Sequence, residues 1–399
     1  MGIVLYNGKV ITPFRMMNGG VRLRGDKIDL VFEGPPPPKD EGDRFIDVEG
    51  RYIAPGFVDI HCHGGGGHDF MDGSAQAVLE GTRAHMAHGT TSILPTTVAS
   101  TREEIYGVLQ SYEEARKQSG DGPDLLGIHL EGPYFSMEQR GAQDPKYIRN
   151  PDPEEYLDIL GMSKHIQRWT VAPELEGALE MGLELQKRHI LPSIGHSNAT
   201  YEQVLEAFEW GYTHVTHLYS GMSMVRRINA YRYAGVVESA YLLDDMTVEI
   251  IADGKHLPAS LLKLIYKIKG ADRICLVTDS MRAAGLPEGE SVLGSLKKGE
   301  RVIVEDGVAK LPDRTAFAGS VATADRLVRT MVELADVPLT EAVRMMTYTP
   351  ARVIGEERRK GSLAAGKDGD VVVFDEGIQI RMVIVKGDIR VDGLGASSM

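Results

Sequence analysis

The chain has 399 residues, long enough for two domains or for one large α/β barrel with a small companion. It is 42% hydrophobic and 25% charged with a formal net charge of -13, so it gains no counterion release from DNA or RNA, and neither nucleic acid nor an anionic membrane is an expected partner. Two cysteines, Cys62 and Cys275, make no disulfide framework, and no apolar run approaches the roughly 18 residues that span a bilayer. The first residues also lack a long apolar core before a small-residue cleavage site, so the expected location is the cytoplasm.

Residues 1–55 read as short strands and turns. "IVLYNGKVITP" and "GGVRLRGDKIDLVFEG" are β-type runs broken by Asn-Gly and Gly pairs, and the run Pro35–Pro38 should be a stiff turn outside any sheet. From Phe57 the rhythm becomes strand, loop, helix. Eight β-rich runs follow: "FVDIHCH", "TSILPTT", "LLGIHLEG", "RWTVAPE", "LPSIGHS", "THVTHL", "VEIIADG" and "ICLVTDS". Amphipathic helical patterns lie between them. "STREEIYGVLQSYEEARKQ" offers Ser100 and Glu103 as a capping box, and "NATYEQVLEAFEWG" offers Thr200 and Gln203. Eight such units over roughly 250–300 residues predict a (β/α)8 TIM barrel. A doubly wound sheet would want a glycine fingerprint, but Gly64–Gly67 is not GxGxxG and no GxxxxGK[ST] occurs. After about residue 355 short strands return. The expectation is a small β domain, a β-sandwich, made by residues 1–55 together with 356–399, and a barrel domain over 56–355.

Active sites of such barrels lie at the C-terminal ends of the strands. The first run ends in His61 and His63, the third in Glu131, the fifth in His196, the sixth in His217 and the eighth in Asp279. One ring would gather all of them. Side chains alternate along a strand, so His61 and His63 face the same way and Cys62 faces the helices. Imidazole and carboxylate ligands without thiolate suit Zn²⁺, Fe²⁺, Co²⁺ or a similar divalent ion. The remaining histidines earn less. His85 and His88 sit in a helical pattern, His165 and His189 carry no pattern, and His214 is an odd step from His217 and should face away from it. His129 shares a face with Glu131 one layer deeper, where it can orient a ligand. His256 follows the seventh run on a loop at the mouth, within reach of substrate.

The motifs "PGFVDIHCHG", "HLEGPYF", "RGAQDP", "GHSNAT", "THLY", "IADGKH", "VTDSMRAAGLPEG" and "GSLAAGKDGDVVVFD" resemble those of the N-acetylglucosamine-6-phosphate deacetylase family of amidohydrolases. The resemblance spans nearly the whole chain. It implies one or two divalent ions per subunit: one on Glu131, His196 and His217, and a second that His61 and His63 can hold with Glu131 bridging; Asp279 is the acid/base, with a place in the metal set. It implies that His256 contacts the acetyl carbonyl, that Gly141, Ala142 and Gln143 lie against the sugar, and that Ser220, Gly221 and Arg232 belong to the substrate site. Here Ser220 replaces the family's usual asparagine, and "RYAG", with Arg232, stands for an "REPG"-like turn. That segment helps to bind phosphate in the family, partly across a dimer interface, so a homodimer is implied. The fourth run has no lysine to carbamylate, unlike that of many superfamily relatives. The implied reaction is metal-dependent hydrolysis of the N-acetyl amide of N-acetylglucosamine-6-phosphate or a close amino-sugar phosphate. The alternative is another amidohydrolase-type N-acyl deacylase on the same fold, such as an N-acyl-D-amino acid deacylase, and the sugar epimer stays open.

Overall fold

The computed structural model describes residues 2–394. All eight β-rich runs become parallel strands. Phe57–Cys62 pairs with Thr90–Pro95, and a six-stranded sheet runs in the order Ile128–Glu131, Ile166–Val171, Leu191–Ile194, His214–Val215, Thr247–Ile250 and Ile274–Leu276. Both faces of these strands are covered, so their polar residues are buried along with the apolar ones; every residue of Phe57–Cys62, Thr90–Pro95 and Ile128–Glu131 is buried.

The third run is split. Asp124–Leu125 pairs with Thr90–Pro95, whereas Ile128–Glu131 pairs with Ile166–Val171. Gly127 breaks the strand at φ +148, and a Cβ there would lie 2.8 Å from the His165 carbonyl oxygen. Two contacts join the parallel sheets at their ends. A parallel bridge links Thr96 and His129, and the Asp279 N–H donates to the His61 carbonyl at 2.9 Å.

Helices cover the outside. Arg102–Gln118 starts one residue later than its capping pattern suggested: Thr101, extended at φ -72 and ψ 158, is the N-cap, and its hydroxyl accepts from the Glu104 N–H. Ser100 instead bonds the Glu104 carboxylate, so the Ser100–Glu103 box does not form. At Tyr201–Glu209 the expected reciprocal cap is present, with the Thr200 N–H donating to Gln203 Oε1 at 2.9 Å.

The two ends of the chain share one eight-stranded sheet. Its order is Asp388–Asp392, Ile380–Val385, Val371–Phe374, Tyr52–Pro55, Gly2–Ile11, Met16–Arg24 and Lys27–Glu33, with Arg44–Asp47 pairing Gly2–Ile11 off that path. Leu5, Val21, Ile53, Val371, Val373 and Ile384 belong to a hydrophobic cluster of its own. Residues 35–38 lie outside any strand, as four prolines require. Among the described residues no helix is long and apolar enough to cross a membrane.

Candidate functional site

The ends of the parallel strands open into a cavity of about 290 Å³. His63, Glu131, His196, His217, His256 and Asp279 line it, as do Gly141, Ala142, Gln143, Ser220 and Gly221. His61 lies just behind this wall, fully buried.

Two groups of potential ligand atoms converge here: His61, His63 and Asp279, and Glu131, His196 and His217. Within each group the donor atoms lie within 4.8 Å of one another. Glu131 sits between the groups. Its Oε1 is 2.9 Å from His217 Nε2, 3.3 Å from His196 Nε2 and 3.6 Å from His61 Nε2; its Oε2 is 3.4 Å from His63 Nε2. Asp279 Oδ1 is 3.1 Å from His63 Nε2 and 3.5 Å from His61 Nε2.

The other ring nitrogens explain why Nε2 points inward. His196 Nδ1 lies 2.9 Å from the Gln139 carbonyl, His63 Nδ1 lies 3.3 Å from the Thr96 carbonyl, and His61 Nδ1 lies 3.0 Å from the Glu249 carboxylate. Each partner is an acceptor, so each Nδ1 carries the proton and each Nε2 offers a lone pair. Two such lone pairs, on His61 and His63, face each other at 3.3 Å. Imidazole lone pairs and carboxylate oxygens crowded without protons to share are the donor set a divalent cation satisfies. The residues therefore fit a metal.

Without a cation the same groups draw protons to one another: burial would lower His63 and His196, but Asp279 and Glu131 raise His63 to about 9, and Glu131 raises His196. Burial alone would raise the Glu131 carboxyl, yet the imidazoles around it, His61 foremost, hold it well below the ordinary range. Asp279 behaves alike: burial raises it, and the neighbouring imidazoles of His61 and His63 bring it lower. Burial pushes His61 itself down to about 3, against the pull of Asp279 and Glu131.

Backbone shape also serves the site. His196, His217 and Asp279 have φ of +48°, +29° and +46°, a left-handed region that ordinary residues avoid. At His217 this turn breaks the strand alternation. His214, expected to face away, instead points into the interior one layer deeper, with Nε2 3.4 Å from Glu249 Oε1. Gly221 has φ +56, and a Cβ there would come within 2.8 Å of His196 Nδ1, so this close approach needs glycine.

Other expected residues fall as follows. Cys62 is buried, with Sγ 3.3 Å from His85 Nε2 on the helical side. His129 donates or accepts at Thr170 Oγ1 at 2.7 Å and stacks edge-on against His61 with ring centroids 4.5 Å apart. The Gln143 amide is committed: its Nε2 donates to Glu131 Oε2 at 2.9 Å, and its Oε1 accepts from the Ala99 N–H at 2.8 Å. His256 Nδ1 is held by Asp253 Oδ2 at 2.9 Å, a partner the sequence reading missed although both lie in "ADGKH". Arg232 is not brought to the cavity. It sits exposed on a hairpin of Arg226–Ile228 and Tyr231–Tyr233. Arg226 is pinned to Asn198, at 2.7 Å to its side-chain oxygen.

Residues 52–390 match the model of the Amidohydrolase family, and the chain belongs to that family. It is 35% identical to the N-acetylglucosamine-6-phosphate deacetylase of Lysinibacillus sphaericus, over 87% of either chain. It is 34% identical to the N-acetylgalactosamine-6-phosphate deacetylase of Escherichia coli O157:H7, over 86% of this chain and 88% of that one. The crystal structure of N-acetylglucosamine-6-phosphate deacetylase from Pasteurella multocida superposes with a TM-score of 0.91 at 30% identity, covering 98% of this chain and 100% of the other. The branch of the family it shares with these proteins is that of the N-acetylglucosamine-6-phosphate deacetylases.

Proposed function

We propose that this chain hydrolyses the N-acetyl amide of N-acetylglucosamine-6-phosphate, or of a close N-acetyl amino-sugar phosphate, to acetate and the amino-sugar phosphate. The observation that carries the reading is one cavity in which Glu131, His196 and His217 meet His61, His63 and Asp279 beside His256. Relatives acting on both the gluco and the galacto sugar leave the epimer open. None of those similar proteins is an amino-acid deacylase, so that alternative has no support.

Glu131, His196 and His217 would hold one divalent cation, and His61, His63 and Asp279 a second. When bound, such an ion supplies Lewis acidity, polarising a carbonyl and acidifying water. The chain's own groups do the rest. Asp279 takes the proton of the attacking water as the C–O bond forms, and returns it to the departing nitrogen as the tetrahedral adduct collapses and the C–N bond breaks. His256 donates to the oxyanion from Nε2, a contribution of about 3–4 kcal/mol for one donor. Asp253 holds the ring through Nδ1 and turns Nε2 toward the cavity. Gly141, Ala142, Ser220 and Gly221 wall the sugar. Gln143 holds Glu131 in place.

The 6-phosphate needs a cation, and among the described residues no Lys or Arg lines the cavity. We assign that role to Arg232 reaching from a second copy. Met224, Val225 and Tyr231, which are 52%, 57% and 73% exposed around the hairpin, support a homodimer there. The two parallel sheets read as one closed (β/α)8 barrel over 56–355, supported by the bonds at their ends. The shared terminal sheet reads as a sandwich-like domain of 1–55 and 356–399, supported by its separate core. Two free, buried cysteines suit the cytoplasm.

Acetate release measured on N-acetylglucosamine-6-phosphate, its galacto epimer, the free sugars and an N-acetyl-D-amino acid tests the reading. Turnover of a phosphorylated sugar at least tenfold above all others is expected. Preference for the amino acid would overturn it.

A further inference from the structure

Beneath the metal-competent groups lies a buried polar layer that the roles above do not use. A barrel interior is ordinarily filled there by branched aliphatic side chains. This chain instead places His129, Arg168, His214 and Glu249, all 0% exposed. Glu249 joins them. Its Oε2 accepts from His61 Nδ1 at 3.0 Å and from the His217 backbone N–H at 3.3 Å. Its Oε1 forms an ion pair with Arg168 Nη1 and faces His214 Nε2 at 3.4 Å. Nη1 also donates to the Ile60 carbonyl at 3.3 Å and Nη2 to Thr216 Oγ1 at 2.9 Å, while Nε is buried without a partner among the described residues.

An arginine and a carboxylate paired only for each other commonly meet in a two-pronged fork. Here Arg168 takes one carboxylate oxygen and leaves the second to His61. Burying a carboxylate is costly unless every lone pair is used, and this one is used on the ligand groups. His61 is also unlike its neighbours. His63 and His196 lean on neutral backbone carbonyls, and His217 Nδ1 has no partner, whereas His61 leans on a carboxylate. A carboxylate behind a ligating histidine fixes its tautomer and raises its basicity.

We propose that Glu249, fixed by Arg168, is the positioning residue that makes His61 a metal ligand, and so sets the affinity of the His61–His63–Asp279 site independently of the Glu131–His196–His217 site. This rests on the metal-binding part of the proposed function.

Zinc titration by equilibrium dialysis, with bound ions counted by elemental analysis and the fold checked by circular dichroism, tests it without an activity assay. The variants are Glu249→Gln and the paired Arg168→Leu/Glu249→Leu, which removes both charges together. Each is expected to keep one zinc at wild-type affinity and to bind the second about 10–100-fold more weakly. His61→Ala should lose the same ion, and adding Glu249→Gln to it should change nothing further. Two zinc ions at unchanged affinity in Glu249→Gln, or further loss in the His61→Ala background, overturns the proposal. So does a wild-type chain that holds only one. A wild-type chain that holds none overturns the metal reading itself. If the paired variant does not fold, Glu249→Gln, which keeps the volume, decides.

Discussion

Asp279 is held by backbone from two directions: its N–H donates to the His61 carbonyl at 2.9 Å, and its carbonyl accepts from the Ser320 N–H at 2.7 Å. It takes a left-handed φ of +46°, which asparagine and aspartate tolerate better than other residues with a Cβ. Asp279→Asn therefore keeps the backbone and the volume while removing the proton acceptor and the carboxylate charge it offers beside His61 and His63. Turnover should fall by several powers of ten, because the same group acts in attack and in collapse. Acetate release beside a melting curve checks this. Activity within tenfold of wild type would remove Asp279 from the mechanism. Asp253 acts one step back, through His256. Asp253→Asn should lower kcat by roughly 10–100-fold, the scale of a lost partner behind a working histidine, with the fold intact; unchanged kcat would make Asp253 a loop tether. The ring of His61, His63, Glu131, His196, His217 and Asp279 was legible because strand ends and two-residue alternation are visible in a string of letters. Arg168 and Glu249 were not read. Their signal was a lone charge within each of the apolar runs "IQRWTV" and "TVEII", which only a facing strand shows to be a pair.

At the scale of elements, the eight parallel strands were legible as short apolar runs, and the pairing of the chain ends as a return of the same texture. What failed was local. The strand break at Gly127 and the left-handed turn at His217 depend on what the neighbouring strand presents, which periodicity does not carry. The hairpin of Arg226–Ile228 and Tyr231–Tyr233 was unreadable for another reason: Asn229 and Ala230 turn it with φ of +47° and +70°, and alanine is no signal for such a turn. That hairpin carries Arg232 away from its own cavity. If it reaches a neighbour's substrate instead, losing one partner of a desolvated charge pair costs roughly 2–5 kcal/mol. Arg232→Ala should then lower kcat/KM for the 6-phosphate by at least about thirtyfold, with little change for the free sugar. Mixing it with an Asp279→Asn chain should restore part of the activity, since a mixed dimer has one site with both groups. No recovery on mixing would place the phosphate cation within one chain.

Across the whole molecule, one cluster ties the parallel strands to the shared terminal sheet. Lys360 is 2% exposed, and its Nζ lies 2.9 Å from Asp124, 2.9 Å from Asp368 and 2.6 Å from Asp370. Asp124 begins the short strand beside Thr90–Pro95, while Asp370 precedes Val371–Phe374 of the terminal sheet. Lys386 also reaches Asp124, at 2.7 Å. Burial would raise Asp124, but Lys360 and Lys386 hold it well below the ordinary carboxylate range. Asp368 is likewise lowered by Lys27 and Lys360 against burial. Burial would lower Lys360, and Asp370 and Asp124 raise it instead. Asp370 runs the other way, because its burial outweighs the pull of Lys360 and raises it. The lowered aspartates stabilise the fold fully above their unfolded value of about 4, and that contribution is lost as pH falls through their folded values. The raised lysine stabilises it fully below about 10 and ceases to do so as pH rises through its folded value. Asp370 takes its proton early in acid and trims the acid loss. Lys360→Met leaves three aspartates without their shared cation, a change that costs about 3–5 kcal/mol when a buried pair is broken. Its melting temperature should lie furthest below wild type between about pH 5 and 9, and the gap should narrow as pH falls below about 4, closing only as the wild-type aspartates reach their lowered folded values. A gap of constant size from pH 3 to 9 would mean that Lys360 acts by packing alone, and that the two parts of the fold are joined by apolar contact rather than by charge.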